Sequence, residues 1–258
     1  MHFFTVGAIF RNESHSIVEW IEHYIKQGAD HLYLINDSST DNSVELLAPY
    51  IAQNKITLYH TNETQPHPLG FQRNMYNQFL LPNLKAKETQ WLLICDIDEY
   101  VYSPILNTLP EFLNTYVQQL AQIQVTPTLF GSNGLEKQPP SVVQGFTKRS
   151  RDSPSNCGTY KYFVNSDFEF ESLNVHHATP SNSEHNDVQY FMLINLPYLK
   201  LNHYINQSRE FWIQTKCTRG DADGFLTRDM SLFDSYEAQA NDEDDFELAN
   251  INKVNICS

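Results

Sequence analysis

The segment Trp91-Leu92-Leu93-Ile94-Cys95-Asp96-Ile97-Asp98-Glu99-Tyr100 is apolar up to Cys95 and then carries acids at 96, 98 and 99. An apolar run this short, without helical spacing, fits a strand buried on both faces of a parallel sheet. Its acids then fall at the carboxyl end, where open α/β sheets bind their ligands. Carboxylates there suit a hard divalent cation, which completes its shell with waters and substrate phosphates. Asp96-x-Asp98 is a pair of that kind, although a bare D-x-D can equally cap a following helix or turn.

The preceding sequence supplies the rest of such a sheet. Phe3 to Phe10 reads as a buried strand delivering Arg11-Asn12-Glu13 to its end. Ser16 and Glu19 fit a capping box, Ile17, Trp20, Ile21, Tyr24 and Ile25 form one apolar helical face, and Gly28 can close that helix. His31 to Asn36 is a second strand ending in Asp37-Ser38-Ser39-Thr40-Asp41, followed by a helix with Val44, Leu47, Ala48 and Ile51 on one side. Lys55 to Tyr59 is a third strand and Phe71 to Leu84 a further helix. This alternation predicts an α/β fold whose mostly parallel sheet is flanked by helices, with three polar clusters sharing one edge. Beyond Ser103 the alternation fades after one helix at Leu109 to Gln122. Lys161 to His177 is extended and aromatic-rich, which predicts antiparallel strands added to the sheet.

Charge narrows the ligand. A formal net charge of −14 excludes a nucleic-acid binder, because affinity for a polyphosphate backbone needs Lys and Arg. A phosphate-bearing small ligand is compatible only through a cation held by Asp96 and Asp98. Cys95, Cys157, Cys217 and Cys257 lack the spacing of a zinc site or disulfide framework and read as reduced thiols. No signal peptide or membrane-length apolar run is present, so a cytoplasmic location is expected. The basic patch Lys148-Arg149-Ser150-Arg151 reads as a solvated loop, with an anionic acceptor or peripheral membrane contact as the alternative. The acidic run Asp242-Glu243-Asp244-Asp245 reads as solvated surface.

Several of these stretches carry a family likeness. Arg11-Asn12-Glu13, Glu19-Trp20-Ile21, Gly28-Ala29-Asp30-His31, Asn36 to Asp41, Gln72, Trp91 with Asp96-Ile97-Asp98-Glu99, Phe130-Gly131-Ser132, Val175-His176, Asn202-His203-Tyr204, Ser208, Phe211, Lys216 and Arg219-Gly220 resemble, in that order, the glycosyltransferase family 2-like and family 92 enzymes. The resemblance implies a GT-A fold, a nucleotide-sugar donor, a divalent ion (Mn2+, or Mg2+ in its place) and inversion at the anomeric carbon. Family 92 members mostly transfer galactose from UDP-galactose and often carry a Golgi anchor. No anchor is read here, so a soluble relative is expected. The whole of 1–258 is then a single GT-A domain. Residues 1–103 form its nucleotide-sugar-binding half, 104–224 the acceptor-binding half and a C-terminal lid, and 225–258 an acidic tail segment.

Carried over by the resemblance, Arg11, Glu13, Asp37 and Gln72 line the uridine pocket, with Asp96 near the ribose. Asp98 and His203 hold the metal, and Lys216 and Arg219 hold the diphosphate from a mobile segment that closes over the donor. The acceptor is a carbohydrate or glycolipid hydroxyl that needs a base, for which Glu171, His176 and Asp223 are the candidates. Two other classes remain open: a non-catalytic nucleotide-sugar-binding protein, and a metal-dependent nucleotidyltransferase, for which the Gly-rich phosphate loop is missing.

Overall fold

The computed structural model describes residues 1–61, 67–116, 119–151, 159–181, 192–194, 198–219 and 228–253. The first hundred residues lay down β1 (His2–Phe10), α1 (Ile17–Lys26), β2 (His31–Asn36), α2 (Ser43–Ala52), β3 (Ile56–His60), α3 (Phe71–Phe79), α4 (Leu81–Lys85), β4 (Thr89–Ile94) and β5 (Glu99–Tyr102). The middle adds α5 (Leu109–Tyr116), β6 (Gln122–Val125), β7 (Pro127–Leu129), α6 (Val142–Gly145), β8 (Lys148–Arg149), β9 (Lys161–Asn165), β10 (Phe170–Leu173) and β11 (Ala178–Pro180). The remainder comprises β12 (Met192–Ile194), β13 (Lys200–His203), α7 (Arg209–Phe211), a π-helical stretch (Trp212–Lys216), α8 (Cys217–Arg219), α9 (Met230–Ala240), β14 (Glu243–Asp244) and α10 (Glu247–Lys253). No helix among these is long and apolar enough to cross a membrane.

The main sheet has seven strands in the order β12-β6-β9-β4-β1-β2-β3. β1 lies parallel between β2 and β4, and β2 is parallel to β3. β9 runs against both β4 and β6, and β12 is parallel to β6, so β9 alone is reversed. This is the mostly parallel α/β class read from the sequence, with an antiparallel strand contributed by its second half. β4 shows why its sequence runs unbroken: Trp91 and Leu93 pack into the core on one face, Leu92 and Ile94 into the core on the other. Full burial of both faces removes any reason to alternate.

Helix α1 packs Ile17, Trp20, Ile21 and Tyr24 against the first of those cores. It ends at Gly28, whose φ of +91° is the left-handed conformation that suits a helix terminus. The capping box is not formed, because Ser16 makes no side-chain bond to the helix it precedes. Glu19 instead reaches across the structure. Its carboxylate accepts from Ser141 Oγ at 2.6 Å, Val142 N at 2.7 Å and Val143 N at 3.3 Å, so it holds the amino end of α6. Proximity in sequence suggested a local partner, whereas a helix some 120 residues on offered unpaired backbone N–H groups.

Two other readings change. The helix expected over 71–84 is two helices meeting at Leu80, with Pro82 in the first turn of α4. The helix expected to reach Gln122 stops short, since Gln122 opens β6. The basic and acidic runs also meet each other. β8 pairs with β14, bringing Arg149 to Glu243 at 3.1 Å and Asp245 at 2.9 Å, and Arg151 to Glu243 at 3.1 Å. The arginines of the patch thus have anionic partners within the chain, and neither run is simply a solvated loop. Cys95 and Cys217 are free thiols, while Cys157 and Cys257 lie outside the described residues.

Removal of the Glu19 carboxylate strands the backbone donors of Val142 and Val143. Glu19→Ala is expected to lower unfolding free energy by about 1–3 kcal/mol, measured by urea denaturation. A loss within error of zero would mean that α6 is capped by solvent.

Candidate functional site

The loops leaving β1, β2 and β4 share one edge of the sheet, and the acids of the last are fixed by α1. Trp20 Nε1 donates to the carbonyls of Asp96 at 2.9 Å and Glu99 at 3.1 Å, and Tyr24 OH donates to the Glu99 carbonyl at 3.1 Å. Glu99 Oε2 accepts from Asp96 N at 3.0 Å, which closes the turn on itself. The loops after β1 and β2 are stitched together by Asn12, Ser39, Asp41 and Ser43. Asn12 Oδ1 accepts from Thr40 N at 2.7 Å, and Asp41 Oδ1 from Ser43 Oγ at 2.6 Å. Asp41 therefore supports the loop rather than facing a ligand.

A residue not singled out in the sequence sits at the centre of this edge. Because β9 runs antiparallel to β4, its first residue, Lys161, arrives where β4 ends. Its side chain is 1% exposed, with Nζ 2.6 Å from Asp96 Oδ2 and 3.4 Å from Glu99 Oε2. Burial alone would depress the lysine pKa, but Asp96 and Glu99 together hold it well above its ordinary value. Asp96 experiences the converse: burial raises its pKa, and the attraction of Lys161 outweighs this and lowers it. Gln72 Nε2 donates to the other Asp96 oxygen at 3.1 Å.

Asp98 and His203 come from separate segments and meet because β13 pairs antiparallel with β5, setting His203 opposite Glu99. His203 Nε2 lies 3.7 Å from Asp98 Oδ1, and its Nδ1 lies 3.6 Å from Glu99 Oε1. Asp98 Oδ2 is taken by Lys216 Nζ at 3.0 Å. Burial raises the Asp98 pKa, but Lys216 and then His203 overcome it and hold the carboxyl well below its usual range.

The other expected positions distribute around this centre. Asp37 is 2% exposed and its two oxygens each lie 2.9 Å from His67 Nε2, with Thr61 Oγ1 donating to Oδ1 at 3.0 Å. His67 stacks on Phe71 with ring centroids 3.5 Å apart, and its Nδ1 is buried without a partner among the described residues. Arg219 donates to the Arg11 carbonyl and, at 2.6 Å, to Glu13 Oε1. Arg11 Nε is likewise buried and unpartnered among the described residues. Lys216 and Arg219 were expected on an open segment, yet both are already seated on acids of the opposite loops. They reach there because Ser208 Oγ caps α7 through Phe211 N at 3.0 Å and the following π-helical residues re-aim the chain.

The candidate bases separate clearly. Glu171 is exposed on β10 and forms no ion pair among the described residues. Asp223 and the neighbouring Gly220 lie outside the described residues. His176 is partly buried near Asp96 and Lys161, with Nδ1 bound to the Tyr160 carbonyl at 3.0 Å, so that nitrogen carries the proton. Gln124 Nε2 anchors the His176 carbonyl at 3.2 Å.

Deleting the charge of Lys161 leaves Asp96 and the buried Glu99 without their shared counter-ion. Lys161→Met is expected to cost about 3–5 kcal/mol in chemical denaturation. An unchanged stability would contradict the pairing described here.

Comparison with known proteins follows the same ground. The model of glycosyltransferase family 92 matches residues 3–244. A family 92 glycosyltransferase protein of Oryza sativa subsp. japonica is 25% identical over 153 residues, or 57% of this chain and 25% of that protein. The chain therefore spans about a quarter of the length of that curated relative. Among solved structures, S. aureus TarS 1-349 in complex with UDP superposes with a TM-score of 0.44 at 12% identity, covering 92% of this chain and 70% of TarS. The same protein in complex with UDP-GlcNAc gives a TM-score of 0.45 at 13% identity, with the same coverage. With the family model matching the chain almost from end to end, the protein belongs to glycosyltransferase family 92.

Proposed function

We propose that this chain is a metal-dependent, inverting glycosyltransferase that moves a hexose, galactose by preference, from a UDP-sugar to a hydroxyl of a carbohydrate or glycolipid acceptor. Family membership supports the reaction class. The observation that carries the rest is the meeting of Asp98, His203 and Lys216 at the carboxyl edge of the sheet.

The donor set suits a divalent ion. Two donors bound to one first-row ion at about 2.1 Å stand roughly 3 to 4 Å apart, and Asp98 Oδ1 and His203 Nε2 are separated by 3.7 Å. Glu99 beside Nδ1 favours the tautomer that leaves Nε2 free to ligate. Among the described residues no group of three or more His, Cys, Asp or Glu could hold a metal ion, so waters and substrate phosphates would have to complete the shell of Asp98 and His203. Asp98 and His203 would hold Mn2+ or Mg2+. When bound, the ion neutralises charge that builds on the departing diphosphate.

The chain's own residues do the remainder. Lys161 keeps Asp96 ionised and in place, and the carboxylate, a third exposed, can accept a further bond from the donor's ribose. Arg11 Nε and His67 Nδ1 are a spare donor and a spare acceptor in the loops assigned to the nucleotide. Asp37, with its oxygens engaged by His67 and Thr61, acts on the base through His67. Lys216 and Arg219 supply cations to the diphosphate. His176 fits the base best of the three candidates: its Nδ1 proton is held by a carbonyl, which leaves Nε2 to accept the proton of the acceptor hydroxyl.

The function is tested by screening UDP-sugars with manganese and scoring UDP release. Turnover that needs manganese and an acceptor, and that EDTA stops, is expected; no release with any donor would reject the reading. The base has its own signature. Burial first, and then the charge of Lys161, lower the His176 pKa from 6.5. A base works when deprotonated, so the acid limb of the kcat/KM profile should fall below the ordinary imidazole range. His176→Ala should cut kcat by about 10²–10⁴-fold and leave UDP affinity intact. A variant with wild-type kcat, or an acid limb above 6.5, would remove His176 from this role.

A further inference from the structure

Lys216 poses a problem for the transferase reading on which this inference rests. The residue expected to meet a phosphate instead lies 3.0 Å from Asp98, the carboxylate expected to meet a metal ion, and its side chain is only 10% exposed. Its ammonium also stands 5.8 Å above the Phe211 ring. Arg219 repeats the pattern on Glu13, 2.6 Å away. Both cations expected on the diphosphate thus rest on acids of the site.

We propose that Lys216 is the resident cation of the Asp98 site, so that the site binds a divalent metal ion weakly by itself and tightly only together with the nucleoside diphosphate. A metal ion entering alone must take Asp98 from Lys216. That leaves a largely buried ammonium without a counter-ion and beside a second positive charge, and both changes are costly away from water. A diphosphate arriving with the metal removes the conflict: the ion takes Asp98 while Lys216 passes to phosphate oxygens. Partners are exchanged and no buried charge is left alone. By linkage, the metal and the diphosphate raise each other's affinity by the same factor, and part of that factor resides in Lys216 rather than in chelation by the nucleotide.

The test titrates the intact chain with MnCl2, with and without UDP, following bound Mn2+ by loss of the free-ion EPR signal. Wild-type chain should bind Mn2+ weakly alone, with UDP improving it by a factor on the order of 5–150. Lys216→Gln should shift the two arms in opposite directions. Mn2+ alone should bind about ten-fold tighter, whereas UDP should bind more weakly and the coupling should shrink. A purely structural lysine would weaken both arms or neither. Unchanged or weaker binding of Mn2+ alone to a folded Lys216→Gln overturns the proposal. Absence of Mn2+ binding with and without UDP overturns the transferase reading as well. If the variant does not fold, hydrogen exchange of the wild type decides. Saturating Mn2+ alone should accelerate exchange across 208–219 by unseating Lys216, and Mn2+ with UDP should slow it. Exchange unmoved by saturating Mn2+ alone overturns the proposal.

Discussion

Lys161, 1% exposed between Asp96 and Glu99, is the interaction on which the rest of the site depends. Three acids within four residues, set at the end of a fully buried strand, repel one another and resist desolvation. A fixed ammonium beneath them lets two of the three remain in place without a bound ion. Glu99 can then close the turn through Asp96 N and stand beside His203. The remaining acid, Asp98, meets Lys216 and His203 instead. The turn thus splits its acids between two lysines, Asp96 and Glu99 on Lys161 and Asp98 on Lys216.

This division requires the reversed strand. In a purely parallel sheet, every strand brings its carboxyl end to the ligand edge, and the residues entering a strand lie at the far side. β9 breaks that rule and delivers the beginning of its sequence to the edge. β13, in the smaller sheet, brings its last residue instead, and its antiparallel pairing with β5 places His203 opposite Glu99. The cations and the histidine that complete the acidic turn thus come from the second half of the chain. Helix α1 holds the whole from behind, through the bonds from Trp20 and Tyr24 to the turn's carbonyls.

Those dependencies explain what the sequence disclosed. Strands β1, β2 and β4 were legible because burial on both faces leaves an unbroken apolar run, and the placing of Asp37 and Asp98 followed from strand direction. Lys161 was not legible even though antiparallel strands were read over 161–177, because its meaning depends on β9 lying beside β4, and no local signal gives the order of strands in a sheet. Glu19 was misassigned for a related reason, since a helix-capping carboxylate looks the same whether its partner is three residues away or on α6. The pairing of Arg149 with Glu243 and Asp245 joins two runs that each look solvated in isolation. His203 was found only through its family motif, and His67, the partner of Asp37, gave no pattern at all.

The central claim is that Asp98 and His203, brought together from β4's turn and β13, hold one divalent ion. Pulsed EPR of Mn2+ bound with UDP reads this directly, because a coordinated imidazole nitrogen modulates the electron spin echo. The account predicts a ligated-nitrogen signal in the wild-type chain that disappears in His203→Gln, even where UDP still retains some Mn2+. A complex with no such nitrogen signal, or one that survives the loss of His203, would contradict it.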